Sequence, residues 1–201
     1  MEIFEYGARE IEHLKKACNK LGAIIDAAGQ LTRPVNNDVF SALVQSVISQ
    51  QISVKAADTI YARLENLVEK VTAKNILKKS IEELQSCGLS FRKAGYINGI
   101  AAAVASGNLD LKGLSSLSDD DVIAELMKLK GLGEWSAQML MIFSLQRPNI
   151  LSFGDLIIRK AIVKLYDLDS LTPAEFEYYR ELYSPYGTVA SIYLWWHGSQ
   201  D

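Results

Sequence analysis

The chain has 201 residues, of which 49% are hydrophobic, so it is long and apolar enough to bury a sizeable core in one domain or two small lobes. The formal net charge of −3 argues against a protein held to nucleic acid by a broad basic surface. The two cysteines, Cys18 and Cys87, have no metal-ligand spacing, so we expect reduced thiols in an intracellular protein.

Apolar residues recur at helical spacing along most of the chain. The predicted helices cover residues 11–25, 40–48, 56–68, 94–104, 122–129 and 135–143. Ser118 is a predicted N-cap, because it precedes three aspartates that suit the positive end of a helix dipole. Residues 149–153 are briefly extended, but no segment alternates over enough residues to form a strand. The predicted fold is therefore all-α, and residues 29–37 mark a boundary between lobes.

Residues 129–137 read Leu-Lys-Gly-Leu-Gly-Glu-Trp-Ser-Ala and predict a tight turn between two helices. The first helix is predicted to end at Leu129 and the second to start near Gly133. Such a turn exposes the backbone N–H groups of Gly131 and Gly133 at a helix N-terminus, where they can bind a phosphate. Lys130 adds an ammonium group beside them. The same pattern also occurs as a plain structural corner, so the turn alone does not decide the function.

Asp155 directly precedes another predicted helix, residues 156–165. A carboxylate at this position suits an N-cap, and it equally suits a group that assists catalysis. The residues themselves leave both roles open, and one side chain can fill both.

Four segments carry a resemblance to a known family. They are Phe40-Ser-Ala-Leu-Val-Gln-Ser-Val-Ile-Ser-Gln-Gln-Ile-Ser53, Cys87-Gly-Leu-Ser-Phe-Arg-Lys-Ala-Gly-Tyr-Ile97, the hairpin, and the helix that follows Gly154-Asp155. Their order and spacing resemble the helix-hairpin-helix DNA glycosylase superfamily, and within it the 3-methyladenine DNA glycosylase II branch. The similarity runs from about Ile11 to about Trp196.

The resemblance implies a single glycosylase unit, residues 1–201, made of two helical lobes with the hairpin at the edge of the cleft between them. Lobe one is expected to hold about residues 1–35 and 155–201. Lobe two is expected to hold about residues 36–154, including the hairpin at 129–135.

The implied function is hydrolysis of the N-glycosidic bond of alkylated purines, such as 3-methyladenine and 7-methylguanine, in base excision repair. Branches that also cut the DNA backbone carry a lysine where this chain has Trp135, and an indole cannot form a Schiff base. We therefore expect a monofunctional enzyme without lyase activity. The alternatives are a glycosylase for another lesion (uracil, hypoxanthine or oxidised guanine) and a non-catalytic helix-hairpin-helix DNA-binding module.

The resemblance also implies roles for individual residues. Asp155 would be the catalytic carboxylate, and Trp135 would stack on the flipped base, although a buried core tryptophan is the alternative. Gln51 or Ile52 would fill the hole left by that base, unless Gln50 and Gln51 simply cap adjacent helices. Gly131, Gly133, Lys130, Gln51, Ile52 and Arg159 are the predicted DNA-binding residues.

No cofactor is expected to be required. The resemblance implies a sodium or potassium ion at the hairpin, held by the backbone carbonyls of Met127, Leu129 and Leu132. An iron–sulfur cluster, found in another branch, is not expected because the last cysteine is Cys87.

The expected partner is double-stranded DNA that contains damaged bases, bound by a monomer. The N-terminal segment has no charged-then-apolar leader, and no apolar run is long enough to cross a bilayer. We therefore expect a protein without membrane association, cytoplasmic and nucleoid-associated in a prokaryote, or nuclear in a eukaryote. The aromatic segment Tyr193-Leu-Trp-Trp-His-Gly198 is predicted to pack in the core of the last helix.

Overall fold

The computed structural model describes residues 2–200 and confirms the all-α prediction. Within that range an isolated bridge pairs Ile3 with Pro34, and no strand forms, including at residues 149–153. None of the helices in residues 2–200 is both long and apolar enough to cross a membrane. The helices are α1 Ala8–Ala17, α2 Asn19–Ala28, α3 Val39–Ser49, α4 Val54–Val68, α5 Ala73–Ile76, α6 Ile81–Ser86, α7 Phe91–Ala105, a 3₁₀ helix at Gly113–Ser116, α8 Asp119–Met127, α9 Glu134–Phe143, α10 Leu156–Tyr166, α11 Pro173–Tyr183 and α12 Gly187–Gly198.

The prediction of a single helix over residues 11–25 is wrong. Cys18 adopts an extended conformation (φ −147°, ψ 107°) and divides the segment into α1 and α2. Its thiol then caps α2 by accepting the backbone N–H of Leu21 at 3.3 Å. Leu14 and Leu21 are both fully buried, so the apolar spacing continues across the break and hides it in the sequence. By contrast, the predicted cap is confirmed, because the Ser118 side chain accepts the backbone N–H of Asp121.

The chain forms two compact units. One comprises the residues up to Val35 together with those from Met141 onward, and the other comprises Asn36–Leu140. The first division, after Val35, coincides with the predicted boundary between the lobes. The second division, after Leu140, precedes the predicted boundary after residue 154. The segment after Met141 belongs to the C-terminal helices because Ile150 is bonded to α12: its N–H donates to Thr188 Oγ1 at 3.0 Å, and its carbonyl accepts Ser191 Oγ at 2.9 Å.

The first unit is built around α12, from which Ile192, Tyr193 and Leu194 are buried in the core. Trp195 lies beside that core and stacks on Phe143 at a centroid distance of 5.6 Å. The prediction that this aromatic segment packs in the core is confirmed. α10 packs against α12, so the residue that precedes α10, Asp155, is held by a rigid helix pair.

In the second unit α7 packs against α3, α5 and α6. Ile97 and Ile100 bury one side of α7, and Phe91 at its first turn is 62% exposed. This arrangement places the first turn of α7 at the surface of the unit, near the end of α3 and the hairpin.

Candidate functional site

The hairpin forms where the sequence predicts it. α8 ends at Met127, slightly before the predicted Leu129, and the chain turns through a hydrogen bond from the N–H of Leu132 to the carbonyl of Leu129 at 3.2 Å. α9 then begins at Glu134. The backbone N–H groups at the start of α9 are those that have no partner within their own helix, which is the general basis of anion binding at such a turn.

The two hairpin glycines are required for different reasons. Gly131 has φ +94°, and a Cβ there would overlap the ring of Tyr96, so any side chain meets both backbone strain and a clash. Gly133 is exposed, and a Cβ there would meet nothing within 4 Å. Gly131 therefore maintains the packing of the hairpin on α7, whereas Gly133 keeps its outer surface open to a ligand.

A groove of about 480 Å³ lies between α7 and the hairpin. Its lining includes no carboxylate, and it is formed by Phe91, Arg92, Gly95, Tyr96, Gly99, Ile100, Lys128, Leu129 and Lys130. Lys128 is paired with Glu125 of α8. Three cationic side chains, Arg92, Lys128 and Lys130, thus lie beside the hairpin, where a polyanion would be attracted.

The loop between α3 and α4 carries the two predicted wedge residues. Gln51 has φ +58°, a left-handed conformation that is uncommon for a residue other than glycine, and its side chain is exposed. Ile52 is 37% exposed. The alternative that both glutamines cap adjacent helices with their side chains is wrong for Gln50, because its Nε2 donates to the carbonyl of Gly131 at 2.7 Å.

Trp135 lies in the first turn of α9 and is 43% exposed. The alternative of an ordinary buried core tryptophan is therefore wrong. The exposed indole lies directly after the hairpin, and its role in stacking on a base stays a prediction.

Asp155 is the N-cap of α10, as one of its two predicted roles requires. Its Oδ1 accepts the backbone N–H groups of Ile157 at 2.9 Å and Ile158 at 3.0 Å. The residue is only 6% exposed. These bonds fix the carboxylate at the positive end of the α10 dipole, where negative charge is stabilised. The capping role is observed, and the catalytic role stays a prediction.

Arg159 lies on the first turns of α10 and is half-buried. Its guanidinium lies 5.0 Å from the centre of the Phe153 ring, a cation–π contact within the first unit. Lys160 and Lys164 continue a basic surface on the same helix, where Leu156 is 55% exposed.

The donors expected to hold a monovalent cation are backbone carbonyls. Met127 ends α8, and Leu129 and Leu132 are joined by the hydrogen bond across the turn. The Leu129 carbonyl accepts that bond and retains a second lone pair, and carbonyl oxygens suit a hard cation. Within residues 2–200, no group of three or more His, Cys, Asp or Glu side chains is arranged to hold a metal ion.

Three residues of this region were not predicted from the sequence: Gln50, Lys93 and Tyr96. Each acts through a partner that is distant in the chain, Gly131 or the end of α3, and no local pattern marks such a partner. The Gln-Gln pair before Ile52 was the available signal, but neither of its two interpretations, a wedge at Gln51 or helix caps at both glutamines, gave Gln50 a contact with the hairpin.

Residues 44–185 match the model of the HhH-GPD superfamily base excision DNA repair protein. The match covers more than half of the chain and includes the hairpin and Asp155, so the chain belongs to this superfamily.

The chain is also similar to particular members. It is 32% identical over 161 residues to DNA-3-methyladenine glycosylase 1 of Schizosaccharomyces pombe. This alignment covers 78% of this chain and 71% of that protein. A crystal structure of a DNA-3-methyladenine glycosidase from Bacillus halodurans matches 100% of this chain and 94% of that one, with 33% identity and a TM-score of 0.88. The S. pombe 3-methyladenine DNA glycosylase in complex with abasic DNA matches 94% and 95% of the two chains, with 29% identity and a TM-score of 0.81.

Proposed function

We propose that this protein is a monofunctional DNA glycosylase that removes alkylated purines of the 3-methyladenine and 7-methylguanine type. The observation that carries the proposal is Trp135, an exposed indole in the first turn after an intact hairpin, at the position where a lyase of this superfamily needs a lysine. The relatives named above, which are 3-methyladenine glycosylases, support the same activity.

Trp135 would select the lesion by its charge. Many N-alkylated purines are cationic, and the face of an indole attracts a cation, with a contribution of about 0.5–2 kcal/mol that grows as water is excluded. The base must first leave the duplex, because its glycosidic bond is out of reach inside the stack.

Asp155 would supply the charge that the reaction needs. As the bond between C1′ and the base nitrogen breaks, positive charge develops on the sugar, and a fixed carboxylate stabilises it. A cationic purine leaves as a neutral base with the bonding electrons. Water then bonds to C1′ and loses its proton with Asp155 as the base, which leaves an abasic site and intact phosphodiesters.

Gln51 is our assignment for the side chain that fills the vacated space in the duplex. It follows the C-cap of α3, a position where glycine is the usual residue because the left-handed conformation strains any other. A glutamine at this strained, exposed position is consistent with a side chain used for function. Ile52 then flanks it as an apolar contact.

The hairpin would hold a phosphate through the N–H groups around Gly131 and Gly133. The side chains of Lys130 and Arg159 would make further contacts with the DNA backbone. A sodium or potassium ion, if bound, would be held by the carbonyls of Met127, Leu129 and Leu132 and would add positive charge beside that phosphate. We propose a monomer that acts on double-stranded DNA in the cytoplasm of a prokaryote or the nucleus of a eukaryote.

The proposal is tested by base release from methylated genomic DNA, with the products identified chromatographically. Asp155→Asn is the informative variant, because an amide oxygen can still accept the two N–H bonds and keep the helix cap. We expect wild type to release 3-methyladenine or 7-methylguanine, and Asp155→Asn to lose at least about 100-fold in rate, as for removal of a general base. The variant should keep its melting temperature and its binding to an abasic-site analogue.

Asp155→Ala is the matched control, because it removes the cap as well and should cost about 1 kcal/mol of stability in addition to activity. Full activity of Asp155→Asn would remove Asp155 from the chemistry. Release of uracil, hypoxanthine or oxidised guanine instead would assign another lesion. DNA binding without release of any base would make the protein a passive hairpin module.

A further inference from the structure

The loop that carries Gln51 is hydrogen-bonded to Lys93 of α7. Lys93 Nζ donates to the carbonyl of Ile48 at 2.8 Å and to the carbonyl of Gln50 at 2.6 Å. These carbonyls lie at the end of α3, where the last turn of a helix has no partners of its own and the dipole favours a cation. Burial, with a smaller contribution from the charge of Arg92, lowers the pKa of Lys93.

The same loop is attached on its other side to the hairpin. The Gln50 side chain donates to the carbonyl of Gly131 at 2.7 Å, and Gly131 is in turn packed against the ring of Tyr96. Tyr96 and Lys93 both belong to α7. The loop, the hairpin and α7 are thus joined in a closed set of contacts within the second unit.

A simple helix ending does not require these contacts. A glycine after the C-cap, with water on the last carbonyls, would end α3 at lower strain. In this chain Gln51 instead has φ +58°. Its neighbour Gln50 is held by two hydrogen bonds, one from Lys93 to the Gln50 carbonyl and one from the Gln50 side chain to Gly131. Lys93 and the Gln50 side chain both fix Gln50, the direct neighbour of Gln51, so together they hold the backbone from which the Gln51 side chain extends in a fixed place relative to the hairpin.

We infer that Lys93 and Gln50 are positioning residues that hold the Gln51 side chain at a fixed distance from the phosphate-binding hairpin. Binding of the DNA backbone at the hairpin then places Gln51 against the base pair to be opened. The inference rests on the proposed function, and it adds a specific role for two residues that touch neither the base nor the sugar.

The consequence is a selective defect. A base that is well paired must be forced out and replaced, whereas a base opposite an abasic analogue has lost its partner and leaves the stack at a lower cost. Loss of the anchors should therefore slow excision from paired DNA and leave excision opposite the abasic analogue largely intact. A variant that merely unfolds would lose both activities together.

The test is single-turnover excision of one lesion in two duplexes, paired normally or placed opposite an abasic analogue. For Lys93→Met we expect a loss of roughly ten- to a hundredfold on the paired duplex, since a displacement of about 1 Å in a positioned group can cost about a hundredfold. The loss on the other duplex should be within about twofold. Lys93→Arg, which keeps donors for both carbonyls, should restore most of the rate. Gln50→Glu, which keeps the shape but loses the donor, should behave like Lys93→Met.

Lys112→Met is the control for loss of one positive charge, because Lys112 is exposed and lies away from both anchors in the chain. It should leave the ratio of the two rates unchanged. Gln51→Gly removes the positioned side chain itself and relieves the left-handed strain. If Lys93 acts through Gln51, adding Lys93→Met to Gln51→Gly should not lower the ratio further, because residues acting as one unit are non-additive.

The outcomes separate the inference from the proposed function. No excision by wild type would overturn the proposed function. Excision by wild type with equal losses of Lys93→Met on both duplexes would overturn the positioning role and leave the enzyme assignment intact. A normal ratio in Gln51→Gly would overturn the assignment of Gln51, and additive losses in the double variant would show that Lys93 acts elsewhere.

Discussion

At the residue scale, the hairpin shows how two glycines in one motif are constrained by different neighbours. Gly131 is enclosed by Tyr96 and has φ +94°, whereas Gly133 faces open space. The sequence pattern treats them alike, because a Gly-x-Gly turn does not reveal which glycine faces the protein and which faces the ligand.

This difference predicts opposite phenotypes for two alanine substitutions. Gly131→Ala should lower the melting temperature and weaken DNA binding, because a left-handed non-glycine residue costs about 1–2 kcal/mol before the clash with Tyr96 is counted. Gly133→Ala should fold normally and weaken DNA binding only, because its methyl group points to where the phosphate would approach. Thermal melts and binding to an abasic-analogue duplex measure both effects. A stable Gly131→Ala variant with normal affinity would contradict the steric argument.

At Asp155 the observed capping role is compatible with the proposed catalytic role. The two N–H groups bonded to Oδ1 restrict the rotation of the carboxylate and fix its direction. A catalytic carboxylate benefits from that restriction, since a preorganised charge needs no reorganisation during the reaction. The two interpretations that the sequence left open are therefore complementary.

At the element scale, the sequence predicted most of the long helices and the hairpin, because each shows local periodicity or a glycine pattern. It failed where the determinant was distant in the chain. The break at Cys18 has no local signal, because the apolar spacing continues through this residue. The contact of its thiol is distant in the chain, a hydrogen bond with Tyr166 Oη at 2.9 Å. For the same reason the sequence identified the loop of Gln51 but not its anchors, since Lys93 and Gly131 approach it only in the folded chain.

The contact at Cys18 extends into a buried polar network across several helices. Tyr166 Oη, at the end of α10, lies 2.9 Å from Tyr183 Oη at the end of α11. Burial raises the pKa of both hydroxyls, so both stay protonated in the folded state at pH values where a tyrosine in an unfolded chain ionises, near pH 10.

The raised pKa values predict a loss of stability in alkaline solution. Below about pH 10 both states keep these protons, and above it only the unfolded state loses them, so the free energy of unfolding falls as the pH rises. Each tyrosine contributes a slope of at most about 1.4 kcal/mol per pH unit. Urea unfolding between pH 8 and 11 should show a shallower decline for Tyr166→Phe and Tyr183→Phe than for wild type. Tyr178→Phe, at a residue 60% exposed, should keep the wild-type slope; an unchanged slope in all three variants would refute the role of burial.

At the scale of the whole molecule, the unexpected property of this DNA-binding chain is its net charge of −3. A duplex can still be bound if backbone N–H groups hold the phosphate and a few cations are concentrated around them. The groove between α7 and the hairpin has this character, with Arg92, Lys128 and Lys130 and no carboxylate in its lining. We expect the acidic residues elsewhere on the surface to limit non-specific binding by repelling phosphate.

This distribution of charge predicts a weak dependence of DNA affinity on salt. Lys128 is already paired with Glu125, so Arg92, Lys130 and Arg159 are the cations expected to neutralise phosphates, about three in all. This number gives a slope of roughly −3 in a plot of log affinity against log salt concentration, because each contact contributes about −0.9. Lys130→Ala should reduce the slope by about one, whereas Lys112→Ala should leave it unchanged. A wild-type slope near −6 would require cations beyond these three, and Lys160 and Lys164 on the basic surface of α10 are the candidates. Lys164→Ala distinguishes these cases, since it lowers the slope only if the DNA backbone also contacts α10 beyond Arg159.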